Sequence, residues 1–229
     1  MYENIILIPY RNRKEHIDYF LKHSWKLIKD NLQNAKLVII EQEEGKLFNR
    51  GKLLNIGFNE YLDKTDYFFT HDVDVNPNRE AINLYNKIPN NNEIIGIYCS
   101  ACKTLGCIIK IKNEDIKKIN GFPNNFWGWG VEDRALYNRA KYYGYNILFN
   151  IISHTSEAKK YFHIFDNIND RKKDNNFQIK THIEYNIFHT LPNDKKNTHI
   201  MSSGLNNLEY TILGKKEIEE DVEWIKVSI

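Results

Sequence analysis

Asp72 and Asp74 stand one residue apart in the stretch FTHDVDVNP, with His71 before them and Pro77 close behind. Side chains alternate along an extended strand, so a strand running through this stretch sets both carboxylates on the same side. There the like charges repel unless a cation lies between them. Carboxylate, carbonyl and imidazole groups suit a divalent ion such as manganese, whose commonest enzymatic use is to clamp phosphates. Two aspartates at a strand end also serve as plain turn formers, so the pair alone does not decide. Its company points toward an anion. Arg11 and Arg13 follow the first apolar run and Arg50 opens a later helix, and the arginine fork suits phosphate oxygens. Three arginines facing solvent or pairing with surface carboxylates would be the bland account.

A second stretch, FWGWGVED, combines different groups. Gly128 and Gly130 flank Trp129, so a large flat side chain rides on backbone that moves easily, and Glu132 and Asp133 follow. An indole against the apolar face of a sugar, with a carboxylate gripping or deprotonating a hydroxyl, makes a carbohydrate site. A tryptophan-rich core plug followed by two helix N-terminal acids accounts for the same letters.

The elements that must carry these groups follow from apolar spacing. NIILIPY is an apolar run ended by Pro9 and Tyr10, and Ile17, Phe20, Leu21, Ser24, Trp25 and Ile28 then recur at helical spacing. KLVIIEQ at 36–42 reads as a second strand, and Leu53, Leu54, Gly57, Phe58 and Tyr61 as the stripe of a second helix. YFFTHDVD reads as the third strand. Strands alternating with helices predict a parallel sheet with its ligand site beyond the carboxyl ends of the strands, where PYRNR, Glu41-Gln42 and Asp72/Asp74 would meet. Further on, EIIGIYC and GCIIKIK read as strands, NEDIKKING as a short helix closed by Gly121, and the segment after Asp133 as another helix. Residues 166–180, poor in apolar side chains, read as a solvated connection. LEYTILG and VEWIKVSI read as antiparallel edge strands.

Bulk properties narrow the class. At 229 residues with 41% apolar side chains the chain can build a sizeable core. Its 32 basic and 30 acidic residues nearly balance, and its lysine-rich stretches are interspersed with acids without an aromatic platform, which disfavours nucleic acid as a partner. No apolar run reaches the length of a membrane span or signal core. Cys99, Cys102 and Cys107 are odd in number and clustered, and no second cysteine pair completes a zinc set, so they read as small buried thiols. The expectation is a soluble protein of a cytoplasmic or other microbial or viral host-cell compartment, not evidently secreted.

Taken in order, PYRNR, FNRGKLLNIGF, THDVDVNP, INGFPNNFWGWGVEDRALYNR and SGLNNLEY resemble the animal β-1,4-galactosyltransferases and their xylose-directed relatives, over about residues 5 to 212. The resemblance implies an α/β chain with a GT-A-type nucleotide-sugar-binding fold, its mixed, mostly parallel central sheet flanked by helices. It also implies one catalytic domain over 1–229, with a nucleotide-binding half at 1–100 and an acceptor-side half at 101–229. An inverting mechanism, a UDP-sugar donor, a saccharide acceptor and manganese (or magnesium) belong to the same implication. Carried over by motif, Pro9, Tyr10, Arg11, Arg13, Phe48 and Arg50 contact UDP, as does Asp72. Asp74 is a direct metal ligand, His163 adds an imidazole and Asp72 is a further candidate ligand. Asp133 is the catalytic base, and Trp129, Gly130, Glu132, Arg134 and Lys103 are placed at the acceptor or donor sugar.

Three departures stand out. Galactose-specific members carry an aromatic, glycine-rich segment where this chain has Lys103-Thr104-Leu105-Gly106, which undermines galactose as the donor. Arg134 replaces an acidic residue that contacts the acceptor. The family's additional metal ligand would fall at Lys160 or Phe165, neither of which ligates well.

Overall fold

In the computed structural model, which describes residues 2–165 and 175–229 (175–179 by backbone alone), β1 (Asn4–Tyr10) is buried along its whole length. Its alternate residues feed two separate cores: Ile6 and Ile8 pack in one, Ile5 and Leu7 in the other. A strand apolar on both sides belongs in the middle of a sheet covered by helices on both faces. Helix α1 (Lys14–Tyr19), a π-helical segment (Phe20–Trp25) and α2 (Lys26–Asn31) run on without a break and bury Ile17, Phe20, Trp25 and Ile28 in the first core. β2 (Ala35–Gln42) follows, and then α3 (Arg50–Tyr61), which buries Leu53, Leu54, Ile56 and Phe58 in the second.

After β3 (Tyr67–Thr70) come the short β4 (Val75–Pro77) and α4 (Arg79–Tyr85), then β5 (Glu93–Cys99), β6 (Ile108–Lys112) and α5 (Asn113–Lys118). Helix α6 (Glu132–Tyr142) packs Leu136 and Ala140 into the second core. β7 (Asn146–Ile152), α7 (Ala158–Tyr161), β8 (Phe162–Ile164), α8 (Asn175–Thr190), α9 (Asn193–Met201), β9 (Thr211–Glu219) and β10 (Val222–Ser228) complete the described chain. Among the described residues no helix is long and apolar enough to cross a membrane.

The large sheet has the order β7-β5-β6-β3-β1-β2-β10-β9, and β4 pairs with β8 in a separate ladder. The large sheet is mixed: β2 and β3 flank β1 in parallel, β10 lies parallel to β2 and β7 parallel to β5, while β6 and β9 run the other way. The order bears out the expected mixed, mostly parallel sheet and corrects one expectation, that the last two strands both lie at an edge. The link from Cys99 to Ile108 is too short for the crossover that a parallel pair needs, so β6 reverses. Of the two last strands only β9 is an edge; β10 is inserted between it and β2. The connection expected at 166–180 lies outside the described residues up to 174, and from Asn175 the backbone is helical.

Arg139 of α6 fixes the loop that leads to FWGWGVED. It is buried and donates to the carbonyls of Asn120 (2.9 Å), Gly121 (2.8 Å) and Ser203 (2.5 Å). Burial pushes its pKa down to about 9, which still leaves it charged at neutral pH. Replacing it with methionine, a good helix former of similar length, is expected to cost about 3 kcal/mol or more. Three carbonyls, two of them in buried hydrogen bonds, then lose charged donors worth about 1–3 kcal/mol each. Urea denaturation measures this, and a loss under about 1 kcal/mol would mean that water takes over the three carbonyls.

Candidate functional site

β1 loses its β3 neighbour before its end, because the last pairing joins Leu7 to Thr70. Pro9, which has no N–H to give, lies beyond that point. Tyr10 is buried with its ring edge-on to Trp224, centroids 4.9 Å apart. Arg11 emerges from the strand and donates to the carbonyl of Lys46 at 2.6 Å, its guanidinium 5.3 Å from the centre of the Phe48 ring. Arg13 reaches Asp74, with 3.4 Å from Nη1 to Oδ2.

The strand through DVD is shorter than its apolar run suggests. β3 stops at Thr70, and Asp72 and Asp74 sit in a turn closed by the amide of Val75 on the carbonyl of Asp72 at 3.2 Å. The two carboxylates are therefore not neighbours on an extended backbone; each meets its own arginine. His71 stabilises this turn: its ring is buried, with Nδ1 3.0 Å from the carbonyl of Asp72 and Nε2 2.8 Å from the Tyr85 hydroxyl. Burial pushes its pKa down to about 4, so it is neutral at physiological pH.

Arg50 is the centre of the site. Asn49 caps α3, its Oδ1 accepting from the amide of Lys52 at 2.9 Å, and this aims Arg50 inward. Nε of Arg50 donates to Oδ1 of Asp72 at 2.8 Å, and Nη1 lies 3.7 Å from Oε1 of Glu132. Burial alone would lower its pKa; Asp72 and Glu132 outweigh that and raise it. Both Nη1 and Nη2 are buried without a hydrogen-bond partner, so the guanidinium keeps strong donors for an acceptor such as a phosphate oxygen.

On the far side, α6 begins at Glu132 after Val131, whose φ is 66°. Burial raises the pKa of both Glu132 and Asp133, with Asp133 repelling Glu132 and Arg50 opposing the rise at each. Oδ1 of Asp133 accepts from the amide of Arg134 at 2.7 Å, and Ser100 Oγ lies 3.5 Å from Oδ2. The 100–106 segment presses on this carboxylate: Leu105 donates its amide to the Asp133 carbonyl at 3.1 Å, and a Cβ at Gly106 would come within 2.9 Å of Oδ2. Trp129 is 50% exposed, between Gly128 (φ 82°) and Gly130 (φ 111°), and the Gly128 amide donates to the Phe48 carbonyl at 2.8 Å.

A divalent ion fits the donor chemistry here, with carboxylate oxygens from Asp72 and Asp74 and an imidazole nitrogen from His163. The β4–β8 ladder brings two of these together: His163 lies in β8 opposite Asn76, and Asp74 just precedes β4, its carbonyl accepting from the Phe165 amide at 2.8 Å. His163 is exposed, its ring 6.1 Å from Tyr19. Among the described residues no three carboxylate, imidazole or thiol groups are gathered into a ready shell, so diphosphate or water oxygens would have to complete it. Phe165 stacks on Tyr19 at 5.4 Å and adds no ligand.

Some expectations take structural roles instead. Glu41 accepts from the Trp224 indole at 2.7 Å, and Gln42 bridges the Leu47 carbonyl and the Asn49 amide, both at 2.8 Å. Cys99 is buried as expected, Cys107 half-buried and Cys102 exposed, and all three are free. Ser100 was missed, and Thr104 and Gly106, read from sequence as part of the donor-side segment, were not foreseen beside Asp133. Also missed was Asn124, which accepts from Asn49 Nδ2 through its carbonyl (2.8 Å) and donates from Nδ2 to the Gly204 carbonyl (2.7 Å). Asparagines flanking FP were the available signal, being frequent turn formers.

Residues 1–87 match the family described as the N-terminal region of glycosyl transferase group 7, and residues 90–167 that described as the N-terminal domain of galactosyltransferase. The chain is similar to β-1,4-galactosyltransferase 1 of Bos taurus, with 31% identity over 98% of this chain and 53% of the relative. The Homo sapiens protein of that name is 32% identical over 91% of this chain and 50% of the relative, so the chain spans about half the length of these curated relatives. In structure it is similar to the catalytic domain of Drosophila β-1,4-galactosyltransferase 7 solved with xylobiose. The TM-score is 0.78 at 25% identity, covering 100% of this chain and 94% of that one. The fold is therefore that of the GT-A glycosyltransferases, with the mixed sheet flanked by helices. The chain belongs to the β-1,4-galactosyltransferase family.

Proposed function

We propose that this protein is an inverting, metal-dependent glycosyltransferase that moves a hexose or N-acetylhexosamine from a UDP-sugar to a saccharide hydroxyl. The observation that carries this reading is Arg50. It ties Asp72 of the DVD turn to Glu132 of GWGVED, so the two chemical stretches form one site with unmet guanidinium donors inside it. Pro9, Tyr10, Arg11, Arg13, Phe48 and Arg50 are assigned to UDP, with Arg11 and Phe48 forming a flat cationic and aromatic pair that suits a base. Asp74, His163 and Asp72 would hold manganese or magnesium, which supplies charge neutralisation on the diphosphate as the sugar leaves. Arg13 and Arg50 add fixed positive charge at the same place.

Asp133 takes the proton from the acceptor hydroxyl, which attacks the anomeric carbon from the face opposite UDP and inverts it. Its raised pKa, caused by burial, makes it a better proton acceptor than an ordinary surface aspartate. Glu132 and Trp129 grip the sugars, and the Gly128–Gly130 segment excludes water as it closes. On this reading residues 1–100 form the nucleotide-binding half and 101–229 the acceptor-side half of one unit, and the three free thiols suit a reducing compartment. The Drosophila relative was solved with xylobiose, which supports a saccharide acceptor here.

UDP release with manganese and a mixed acceptor panel tests the activity. A protein that binds UDP tightly and never turns over would instead be a sugar-binding relative that kept the fold. For the donor, Lys103 and Thr104 stand where an aromatic was expected, so UDP-GlcNAc, UDP-GalNAc or UDP-glucose is expected to raise the melting temperature and support transfer. Stabilisation and turnover by UDP-galactose alone would overturn the donor assignment.

A further inference from the structure

Most cations of the site are engaged: Arg13 with Asp74, Arg50 with Asp72 and Glu132, Arg11 with the Lys46 carbonyl. Lys103 and Arg134 are not. Both are exposed, and among the described residues neither side chain makes an ion pair or hydrogen bond. The backbone nevertheless places both close to Asp133. Arg134 follows it in the chain and gives it an amide hydrogen bond. Lys103 lies in the turn that Thr104 clasps, its Oγ1 donating to the Ala101 carbonyl at 2.7 Å, accepting the Ala101 amide at 3.2 Å and lying 3.1 Å from Ser100 Oγ. The next residue in that turn, Leu105, donates to the Asp133 carbonyl.

Both placements run against local preference. Lys103 has φ 67°, a left-handed conformation that glycine or asparagine adopts more readily. Arg134 occupies the first turn of an eleven-residue helix, where exposed amides and the helix dipole disfavour a cation and favour an anion. A neutral sugar gives neither residue a reason to be there, whereas a negatively charged substituent offsets both and takes charge-assisted hydrogen bonds, bidentate from the guanidinium.

We propose that the acceptor saccharide of this protein carries an anionic group, a carboxylate or a sulfate or phosphate ester, held by Lys103 and Arg134 beside Asp133. The proposal rests on Asp133 being the base that receives the acceptor hydroxyl. It goes beyond that reading by naming the acceptor's charge and the residues that select it.

The test uses matched acceptors on gluco, galacto and xylo rings: the neutral glycoside, its uronate where the ring has a sixth carbon, and a phosphate or sulfate ester. Binding is measured by calorimetry in the presence of UDP and manganese, and transfer by mass spectrometry. The anionic member of at least one pair is expected to bind on the order of tenfold more tightly than the neutral one, with the advantage shrinking as salt is raised. Uronates and esters separate the two sources of charge. Lys103→Gln and Arg134→Gln should each reduce the advantage several-fold while UDP affinity stays at the parent value. Equal or weaker binding of every anionic member, no binding by any, or an advantage that survives both substitutions together overturns the proposal. Transfer to neutral acceptors alone would overturn it and leave the glycosyltransferase reading intact. Absence of all transfer would remove that reading, and the binding arm would still decide the question of charge.

Discussion

Asp133→Asn is expected to lower turnover on the order of 100-fold or more while leaving donor affinity near the parent value, because proton removal matters only as the transition state forms. The fold should not suffer. Burial already disfavours the charged carboxylate at this position, so a neutral near-isostere relieves repulsion with Glu132, and the melting temperature should hold or rise. In the parent, the proposed base would work only when ionised, and its carboxyl lies in the field of Glu132, Arg50, Arg134 and Asp72. Both carboxylates are shifted upward, so kcat/KM should climb with pH through a range above that of an ordinary carboxylate, and this limb should vanish in the variant. Activity comparable to the parent would move the role to Glu132 or defeat the mechanism.

The second large effect is at the candidate metal ligand. Asp74→Asn exchanges a charge for an amide of nearly the same shape and should abolish metal-dependent binding of UDP-sugar with little loss of fold. Asp74 is 7% exposed, and its Oδ2 lies 3.4 Å from Nη1 of Arg13, so the amide would remove a largely buried charge that faces a guanidinium. Calorimetry with UDP, with and without manganese, separates the contributions. Parent-like affinity in both conditions would remove Asp74 from the shell.

Local chemistry was legible where local chemistry decides. The all-apolar β1, the helical stripe of α3 and the turn after α5, where Gly121 donates its amide to Ile116 at 3.0 Å, follow from spacing and residue type. The strand through DVD was misjudged because the tertiary partner that ends it, Tyr85 on α4, takes up the His71 ring and draws the chain into a turn. The direction of β6 was recoverable from loop length. The insertion of β10 beside β2 was not, since its pairing of Trp224 with Ile39 spans nearly the whole chain and leaves no local trace. Among site residues, types and motifs pointed to Arg50, Asp72 and Asp133. Their support from Ser100, Thr104 and Gly106 depends on backbone approach, which residue letters do not encode.

The place of β10 in the sheet has a consequence for biosynthesis. A chain growing from its N-terminus can pair β1, β2 and β3 early, yet β2 stays a bare edge until residues 222–228 have been made. In that interval one side of an apolar strand has nothing to pair with, the condition under which nascent chains stick to one another. Emergence of the last strand both seals that edge and shifts exposure to β9. Its exposed Lys215, Lys216, Glu217 and Glu219 put charge along the new edge, which discourages aggregation. Pairing of β10 thus completes the sheet and closes the exposed edge of β2 in one step.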